Sequence, residues 1–388
     1  MKRTRTGTYE TTSVAGETVK AFVPAPLPPV PPLTLDGDAR AAVEAALLAL
    51  GRLDGVSSVL PDTHLLLYTY IRKEAVLSSQ IEGTQSTLAD LLLFELKEAP
   101  GVPLDDVVEV SNYVRALEHG MKRMRRGFPL SNRLIREVHE ILLSRGRGAG
   151  KSPGEFRRTQ NWIGGTRSGN ARFVPPPPHR VEHAMGALEK FVHDTKAPTL
   201  AKAALWHVQF ETIHPFLDGN GRVGRLMVTL LLCAEGVLRE PMLYLSLFLK
   251  QHRARYYELL DSVRREGDWE TWVAFFCEGV ASVSDSAVAT ARRLLELAEK
   301  DRERLARLGR KAGSAAAVQT ALLRTPVCTI PRLAKRTRLT LPTIAKALGV
   351  LADQSIVSET TGRRRNRVYR YNRYLAILNE GTEPLRGG

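Results

Sequence analysis

Apolar residues recur at helical spacing along most of the chain, and this pattern predicts a mainly α-helical protein. Strand signals are scarce before residue 320 apart from one short interval, and we find no internal repeat. The amphipathic segments that we expect to form helices span residues 39–53, 62–80, 88–96, 105–124, 131–143, 181–193, 200–213, 223–237 and 256–264, with a longer stretch from 269 to 308.

The exceptional interval covers residues 161–174, where two β-prone runs flank a turn rich in Gly, Ser and Asn. This pattern is typical of a β-hairpin, although a plain surface loop would have a similar composition. The chain also opens with a polar segment followed by six prolines between Pro24 and Pro32. Such a stretch cannot be helical, so we predict an extended, polyproline-II-like arm. Packing on its own domain is the preferred interpretation, and a ligand for a proline-recognition module is the alternative.

The candidate chemistry lies between two of the predicted helices, in His214-Pro-Phe-Leu-Asp-Gly-Asn-Gly-Arg-Val-Gly-Arg225. The glycines allow close approach to a ligand, and the following helix offers its N-terminus to an anion. Both arginines can project from the first turn toward that anion, and an Asp suits a Mg²⁺ carried by phosphates. His214 can take a proton near neutral pH. The loop therefore predicts a polyphosphate site with a general base, whereas the simpler interpretation is a polar connection between helices.

This loop resembles the motif of the Fic family, His-Pro-Phe-x-Asp/Glu-Gly-Asn-Gly-Arg-x-x-Arg, at every specified position. The resemblance implies adenylylation, the transfer of AMP from ATP to a Ser, Thr or Tyr hydroxyl of a protein. It assigns the base to His214 and the Mg²⁺ ligand to Asp218. The nucleotide would be bound by Gly219, Asn220, Gly221, Arg222 and Arg225. The hairpin at 161–174 would be a flap that pairs with the target segment.

Ser78 and Glu82 end a strongly helical run, and their spacing of four places them on one helix face. On the residues alone, a solvated Glu before a helix-stopping Gly is an equally good interpretation. The pattern Ser/Thr-x-x-x-Glu-Gly/Asn, however, resembles the inhibitory motif of the Fic family. That resemblance implies that Glu82 pairs with Arg225 and diverts it from the nucleotide γ-phosphate.

The chain has a net charge of +15, and residues 311–388 hold 14 Lys+Arg against 4 Asp+Glu, a net of +10. Their pattern predicts a helix-turn-helix followed by a basic hairpin, which is a winged helix. DNA binding is the more specific interpretation, and a module for protein contacts is the alternative. The expected DNA-contacting residues are Thr340, Thr343 and Lys346 on the recognition helix, with Arg363, Arg364, Arg365 and Arg367 at the wing tip.

We therefore expect four regions: an arm and inhibitory helices (1–100), a Fic catalytic core (101–285), a helical linker (286–313) and a winged helix (314–388). Nothing resembles a signal peptide or a membrane span, and Cys233, Cys277 and Cys328 lack metal-ligand spacing. These features predict a cytoplasmic protein with reduced thiols, and the resemblance adds a homodimer through the helical core.

The function we expect is an autoinhibited protein adenylyltransferase that uses ATP and Mg²⁺, with a target protein or itself as acceptor. Two other interpretations remain open. A Fic enzyme can use another nucleotide or remove AMP, and a DNA-binding regulator can use such a core only to sense nucleotide.

Overall fold

The computed structural model describes residues 3, 6–14, 16–59, 64–96, 103–194, 196–309, 312–363 and 365–384, and most of them are helical. The helices described are α1 (Gly37–Val59), α2 (His64–Ile81), α3 (Leu88–Phe94), α4 (Leu104–Met124), α5 (Asn132–Leu142), α6 (Pro178–Asp194), α7 (Thr199–Ile213), α8 (Asn220–Ala234), α9 (Ser246–Gln251), α10 (Arg253–Glu266), α11 (Trp269–Ala306), α12 (Ala312–Arg324), α13 (Ile330–Thr337), α14 (Leu341–Asp353) and α15 (Asn372–Asn379).

The described strands form two small antiparallel sheets, one at each end of the chain. β1 (Gly7–Val14) pairs with β2 (Glu17–Pro24). In the second sheet, β5 (Val368–Arg370) lies between β3 (Val327–Thr329) and β4 (Ser358–Glu359). The mainly helical prediction is thus confirmed.

Helix α7 is the centre of the core, because every residue from Leu200 to Ile213 is buried. It contacts α6, α8, α10 and α11. A helix covered on all sides needs no polar face, which explains why α7 is apolar around most of its circumference. Its C-terminal end matters most for function, since its last residue is followed at once by His214.

Helix α11 is continuous from Trp269 to Ala306 and packs along α1 and α7, so the predicted boundary at residue 285 falls inside one helix. Within the described ranges, only α11 is long and apolar enough to cross a membrane. Most of its apolar window, 61%, is buried inside the protein. Its hydrophobic face is therefore used by the core.

The prediction that strands are scarce before residue 320 is wrong for the N-terminal region. The β1–β2 hairpin runs from the pair Gly7–Pro24 to the pair Val14–Glu17. Its Thr, Val, Tyr and Phe residues favour extended backbone, but β1 is mostly polar and only its Val14 is buried, so the apolar pattern does not reveal this strand. The proline stretch that follows contains no helix, as predicted. It packs on the domain, since the Gln209 side chain donates to the carbonyl of Ala25 at 2.8 Å.

The predicted hairpin at residues 161–174 is reduced to a single bridge between Ile163 and Phe173 and a 3₁₀ turn at Ser168–Asn170. Gly164 and Gly165 both have positive φ, which takes the backbone out of the extended region directly after Ile163. The loop is held from the side by β2, where Glu17 accepts hydrogen bonds from Ser168 and from the backbone of Gly169.

Candidate active site

The loop between α7 and α8 is held in shape by its own residues. His214 ends α7 in the left-handed region at φ 48°, and Gly219 precedes α8 at φ 75°. The Asn220 side chain is buried and both accepts from and donates to the backbone of Phe216. Asn220 therefore stabilises the loop through its side chain, and its contact with a nucleotide stays a prediction.

His139 supports the same loop from α5, and sequence reasoning missed it. Its ring stacks on Phe216 with centroids 3.7 Å apart. Its Nδ1 accepts from the backbone N–H of Gly154, so Nε2 carries the proton and donates to the carbonyl of Asp218 at 3.1 Å. Burial lowers the pKa of His139 to about 4, which keeps this ring neutral.

Arg157 is a second residue that the sequence did not reveal. It is buried, and its guanidinium donates to the carbonyls of His214 and Pro176, while its own backbone N–H donates to Pro215. His214 has positive φ, which is strained for a residue other than Gly, so its backbone needs such support. Arg157 thus fixes the backbone from which the His214 imidazole projects.

His214 is prepared to act as a base. Burial, followed by the charge of Arg157, lowers the pKa of His214 to about 4, so the imidazole is neutral at neutral pH. Its Nδ1 lies 4.0 Å from the Glu211 carboxylate. Burial raises the pKa of Glu211 to about 7, so that a carboxyl able to change its charge near neutral pH sits beside the imidazole.

Arg225 is held by the end of α2. Its Nε donates to the Ser78 hydroxyl at 2.9 Å, and its Nη2 donates to the Ser78 carbonyl and to Glu82 Oε1 at 2.6 Å. Burial alone would raise the pKa of Glu82, but the charge and hydrogen bond of Arg225 outweigh burial and lower it. The structure thus brings together the three residues expected to form the inhibitory contact.

The same carboxylate also covers the N-terminus of α8. A Cβ built on Gly221 would lie 2.3 Å from Glu82 Oε1, so a side chain at this position would collide with it. Glu82 therefore occupies the anion position offered by the first turn of the helix. Its side chain is 37% exposed, whereas that of Arg225 is 2% exposed.

Arg222, one turn before Arg225, contacts two other carboxylates. Its Nη1 lies 3.0 Å from Glu109 Oε2, and its Nη2 lies 3.5 Å from Asp218 Oδ1. The Asp218 side chain is 41% exposed and accepts from the backbone of Gly219. The described ranges contain no group of three or more His, Cys, Asp or Glu that could hold a metal by themselves.

A cavity of about 420 Å³ opens between the loop, the flap and α10. Glu82, His214, Gly221 and Arg225 form one wall. The lining also includes Trp162, Ile163, Arg172 and Phe173 from the predicted flap, and Arg264 of α10, which sequence reasoning missed.

Tyr256 and Tyr257 of α10 differ in their surroundings. Tyr256 is buried, and its hydroxyl lies 2.9 Å from His207 Nε2, so packing accounts for most of its contacts. Tyr257 is half-buried and also lines the cavity. Of the two, Tyr257 is the better placed to meet a base.

Two family models match this chain, the Fic/DOC family N-terminal region over residues 40–122 and the Fic/DOC family over residues 129–232. Together they contain Ser78, Glu82 and the loop that begins at His214. The chain belongs to the Fic family. The matched segments coincide with α1–α4 and α5–α8, the helices that bring Glu82 to Arg225.

Curated relatives of this Fic protein carry the name protein adenylyltransferase Fic. The one from Drosophila melanogaster is 30% identical over 203 residues, covering 51% of this chain and 38% of that protein. The one from Aedes aegypti is 31% identical over 240 residues, covering 58% of this chain and 44% of the relative. This chain therefore spans less than half of the length of these relatives.

Solved structures share the fold at lower identity. A Fic family protein from Desulfovibrio desulfuricans G20 aligns with a TM-score of 0.59 at 20% identity, covering 88% of this chain and 97% of that one. Residues 134–508 of Fic-1 from C. elegans align with a TM-score of 0.52 at 21% identity, covering 66% and 74%. These likenesses concern the fold alone.

The residues predicted to contact DNA lie far from the Fic loop in sequence and are mostly exposed. Lys346, Arg363, Arg365 and Arg367 are exposed, while Arg364 lies outside the described residues. Thr340 caps α14 through its hydroxyl, which accepts from the backbone of Thr343. Thr343 is half-buried and its hydroxyl lies 2.8 Å from that of Thr340, so its predicted base contact competes with this side-chain hydrogen bond.

Proposed function

We propose that this Fic protein is an autoinhibited protein adenylyltransferase, which transfers AMP from ATP to a Ser, Thr or Tyr hydroxyl of a target protein or of itself. One observation carries the proposal: a neutral histidine, a helix N-terminus and a buried arginine line the same cavity. The names of the curated relatives support the same reaction.

In this mechanism His214 is the general base. The target hydroxyl loses its proton to the imidazole as its oxygen forms a bond to the α-phosphorus of ATP. The bond between that phosphorus and the α–β bridging oxygen breaks, and diphosphate leaves. The lowered pKa of His214 ensures that the base is unprotonated at neutral pH. Arg157 keeps the imidazole in position by fixing its backbone carbonyl.

The phosphates would bind over the first turn of α8, where backbone N–H groups and the helix dipole favour negative charge. Arg225 would contact the γ-phosphate once Glu82 leaves, and Arg222 would add positive charge next to Asp218. Asp218 fits a Mg²⁺ that takes its other ligands from phosphates and water, because it is a single, partly exposed carboxylate. Such an ion would neutralise phosphate charge.

Autoinhibition follows from the position of Glu82. It holds Arg225 and covers the N-terminus of α8 at the same time, so ATP cannot place its terminal phosphates there while Glu82 is in place. Productive phosphate geometry is exacting, and a single displaced contact can prevent transfer.

The experiment uses ATP labelled at the α-phosphate with Mg²⁺, the Glu82→Gly variant and the Glu82→Gly/His214→Ala variant. We expect label on protein only when His214 is present. ATP labelled at the γ-phosphate serves as the control, because AMP transfer leaves that label on diphosphate. Equal labelling by both variants, or protein labelled from the γ-position, would contradict the proposed reaction.

A second candidate function is DNA binding by the C-terminal module, which we propose to be a winged helix formed by α12–α14 and the β3–β5–β4 sheet. The exposed Lys346, Arg363, Arg365 and Arg367 favour it. The full chain should bind a duplex with an affinity that falls steeply with salt, and replacing Arg363, Arg365 and Arg367 by Ala should weaken binding. DNA binding without any labelled product would favour the nucleotide-sensing interpretation.

A further inference from the structure

The segment that follows α15, residues 380–383, lies against the inhibitory helix α2, and we call it the C-terminal strap. Lys73 Nζ donates to the carbonyl of Glu380 at 2.8 Å, and Gln80 Nε2 donates to the carbonyl of Thr382 at 2.9 Å. Lys73 and Gln80 are seven residues apart, so they lie on one face of α2. The strap thus follows the helix along the two turns that precede Glu82.

Lys250 of α9 completes this arrangement. Its ammonium group donates to Gln80 Oε1 at 2.7 Å and to the strap carbonyls of Gly381 and Glu383. Gln80 also donates to the carbonyl of Ser86, in the loop that follows Glu82. The Gln80 amide therefore connects α2, α9, the strap and the loop beyond the inhibitory motif.

The side chains that bind the strap are buried: Lys73 is 2% exposed, Gln80 1% and Lys250 6%. Burial lowers the pKa of Lys73 to about 8, which shows how strongly this site opposes an uncompensated charge. Were the strap to leave, these donors would have to remain unpaired or draw water in, and the end of α2 would loosen. These buried donors therefore need the strap carbonyls as hydrogen-bond acceptors.

The base of the strap is tied to the long helix α11. The carboxylate of Glu380 pairs with Arg293 at 2.6 Å. At the start of α15, the Tyr371 hydroxyl and Arg373 both donate to the buried Asp301 of α11 at 2.7 Å. Movement of the C-terminal module relative to α11 would thus pull on the strap, and through it on α2.

We propose that the C-terminal strap is a regulatory element that holds α2, and with it Glu82, in the inhibitory position, so that displacing the strap activates AMP transfer. This proposal rests on the proposed adenylyltransferase function and names the element that controls it. Gln80 transmits the effect because it lies two residues before Glu82 and binds the strap directly. The C-terminal module would thereby control a site to which it contributes no catalytic group.

Gly381→Val tests the strap without changing α2 or α9. Gly381 has φ +78°, where valine is strained, and an added Cβ would lie 2.8 Å from a Leu247 methyl group, which would have to shift. Gly362→Val is the matched control, because Gly362 has φ +63° with nothing within 4 Å. A chain that ends at Asn379 provides a second variant, which removes the strap without introducing strain.

We expect Gly381→Val and the shortened chain to transfer AMP at least about 5-fold faster than wild type, with Gly362→Val unchanged. Hydrogen exchange at the end of α2 should accelerate in the same two variants. In a Glu82→Gly background, loss of the strap should add nothing, because no carboxylate remains to be displaced.

Three results separate the claims. Wild-type rates and wild-type exchange in both strap variants, alongside an active Glu82→Gly variant, would overturn the strap proposal alone. Further activation in the Glu82→Gly background would also overturn it, because the strap would then act elsewhere. An inactive Glu82→Gly variant would contradict the proposed function, and the exchange of α2 would still decide whether the strap holds the helix.

Discussion

Arg222 and Arg225 lie one turn apart on α8, both are buried, and each is paired with a glutamate from another helix or its end. The Arg222 partner, Glu109, is 5% exposed and lies within α4. The Arg225 partner, Glu82, is 37% exposed and lies just beyond the end of α2. A pair buried on both sides belongs to the permanent structure, whereas a pair with one solvent-exposed partner at a helix end can be exchanged for a ligand.

The largest expected effect on stability follows from this difference. Glu109→Gln removes the buried carboxylate that pairs with both Arg222 and Arg147, and removing one partner of a buried pair costs about 3–5 kcal/mol. Glu82→Gln should cost less, because solvent reaches the Glu82 carboxylate and Arg225 keeps its two hydrogen bonds to Ser78. Urea unfolding of both variants measures the two values. Equal losses of unfolding free energy in the two variants would contradict the distinction between a permanent pair and an exchangeable one.

Arg157 extends the comparison to a buried arginine that donates to backbone carbonyls. In the Glu82→Gly background, we expect Arg157→Lys to lower kcat by about 10-fold to 100-fold, because lysine cannot span the carbonyls of His214 and Pro176. The Kd for ATP should change little. Arg158→Lys is the matched control, since that side chain is 89% exposed. A loss confined to ATP affinity would show that Arg157 does not position the base.

The effect of pH on activity should be smaller than these effects. It should distinguish the His214 base from the inhibitory ion pair between Glu82 and Arg225. The pKa of His214 lies near 4, so protonation of the base should lower kcat/KM of Glu82→Gly only as pH approaches that value, and a change near pH 7 would report the neighbouring Glu211 carboxyl. The pKa of Glu82 is lowered below 4.5, so its ion pair is present above that value and is lost as pH falls through the lowered pKa. Wild type should therefore remain inhibited over the same range. An acid limb near pH 6.5 that persists after Glu211→Gln would point to a solvated histidine.

The sequence predicted those parts of the site that lie within one segment. The loop from His214 to Arg225 contains its base, its glycines and both arginines, and the ends of α7 and α8 lie close to where the apolar pattern placed them. The pairing of Glu82 with Arg225 came only from the resemblance to the Fic family. Spacing alone could not connect two residues that are 143 positions apart.

Other parts could not be predicted because their contacts are long-range or their elements short. His139, Arg157 and Glu109 act on the loop from three different segments, and none of them carries a local pattern. Helix α9 has only 6 residues, too few for a periodic signal. The β1–β2 hairpin is not evident from the apolar pattern because β1 is mostly polar. The flap contains less strand than predicted because the glycines after Ile163 leave the extended region.

The most direct test of the central claim compares wild type with Glu82→Gly in transfer of label from α-labelled ATP at saturating ATP. If Glu82 inhibits by holding Arg225 and covering α8, the variant should be faster by on the order of 100-fold, because misplaced phosphates cost about that much. Equal rates would contradict the account, since the ion pair would then be a structural contact without control over the site.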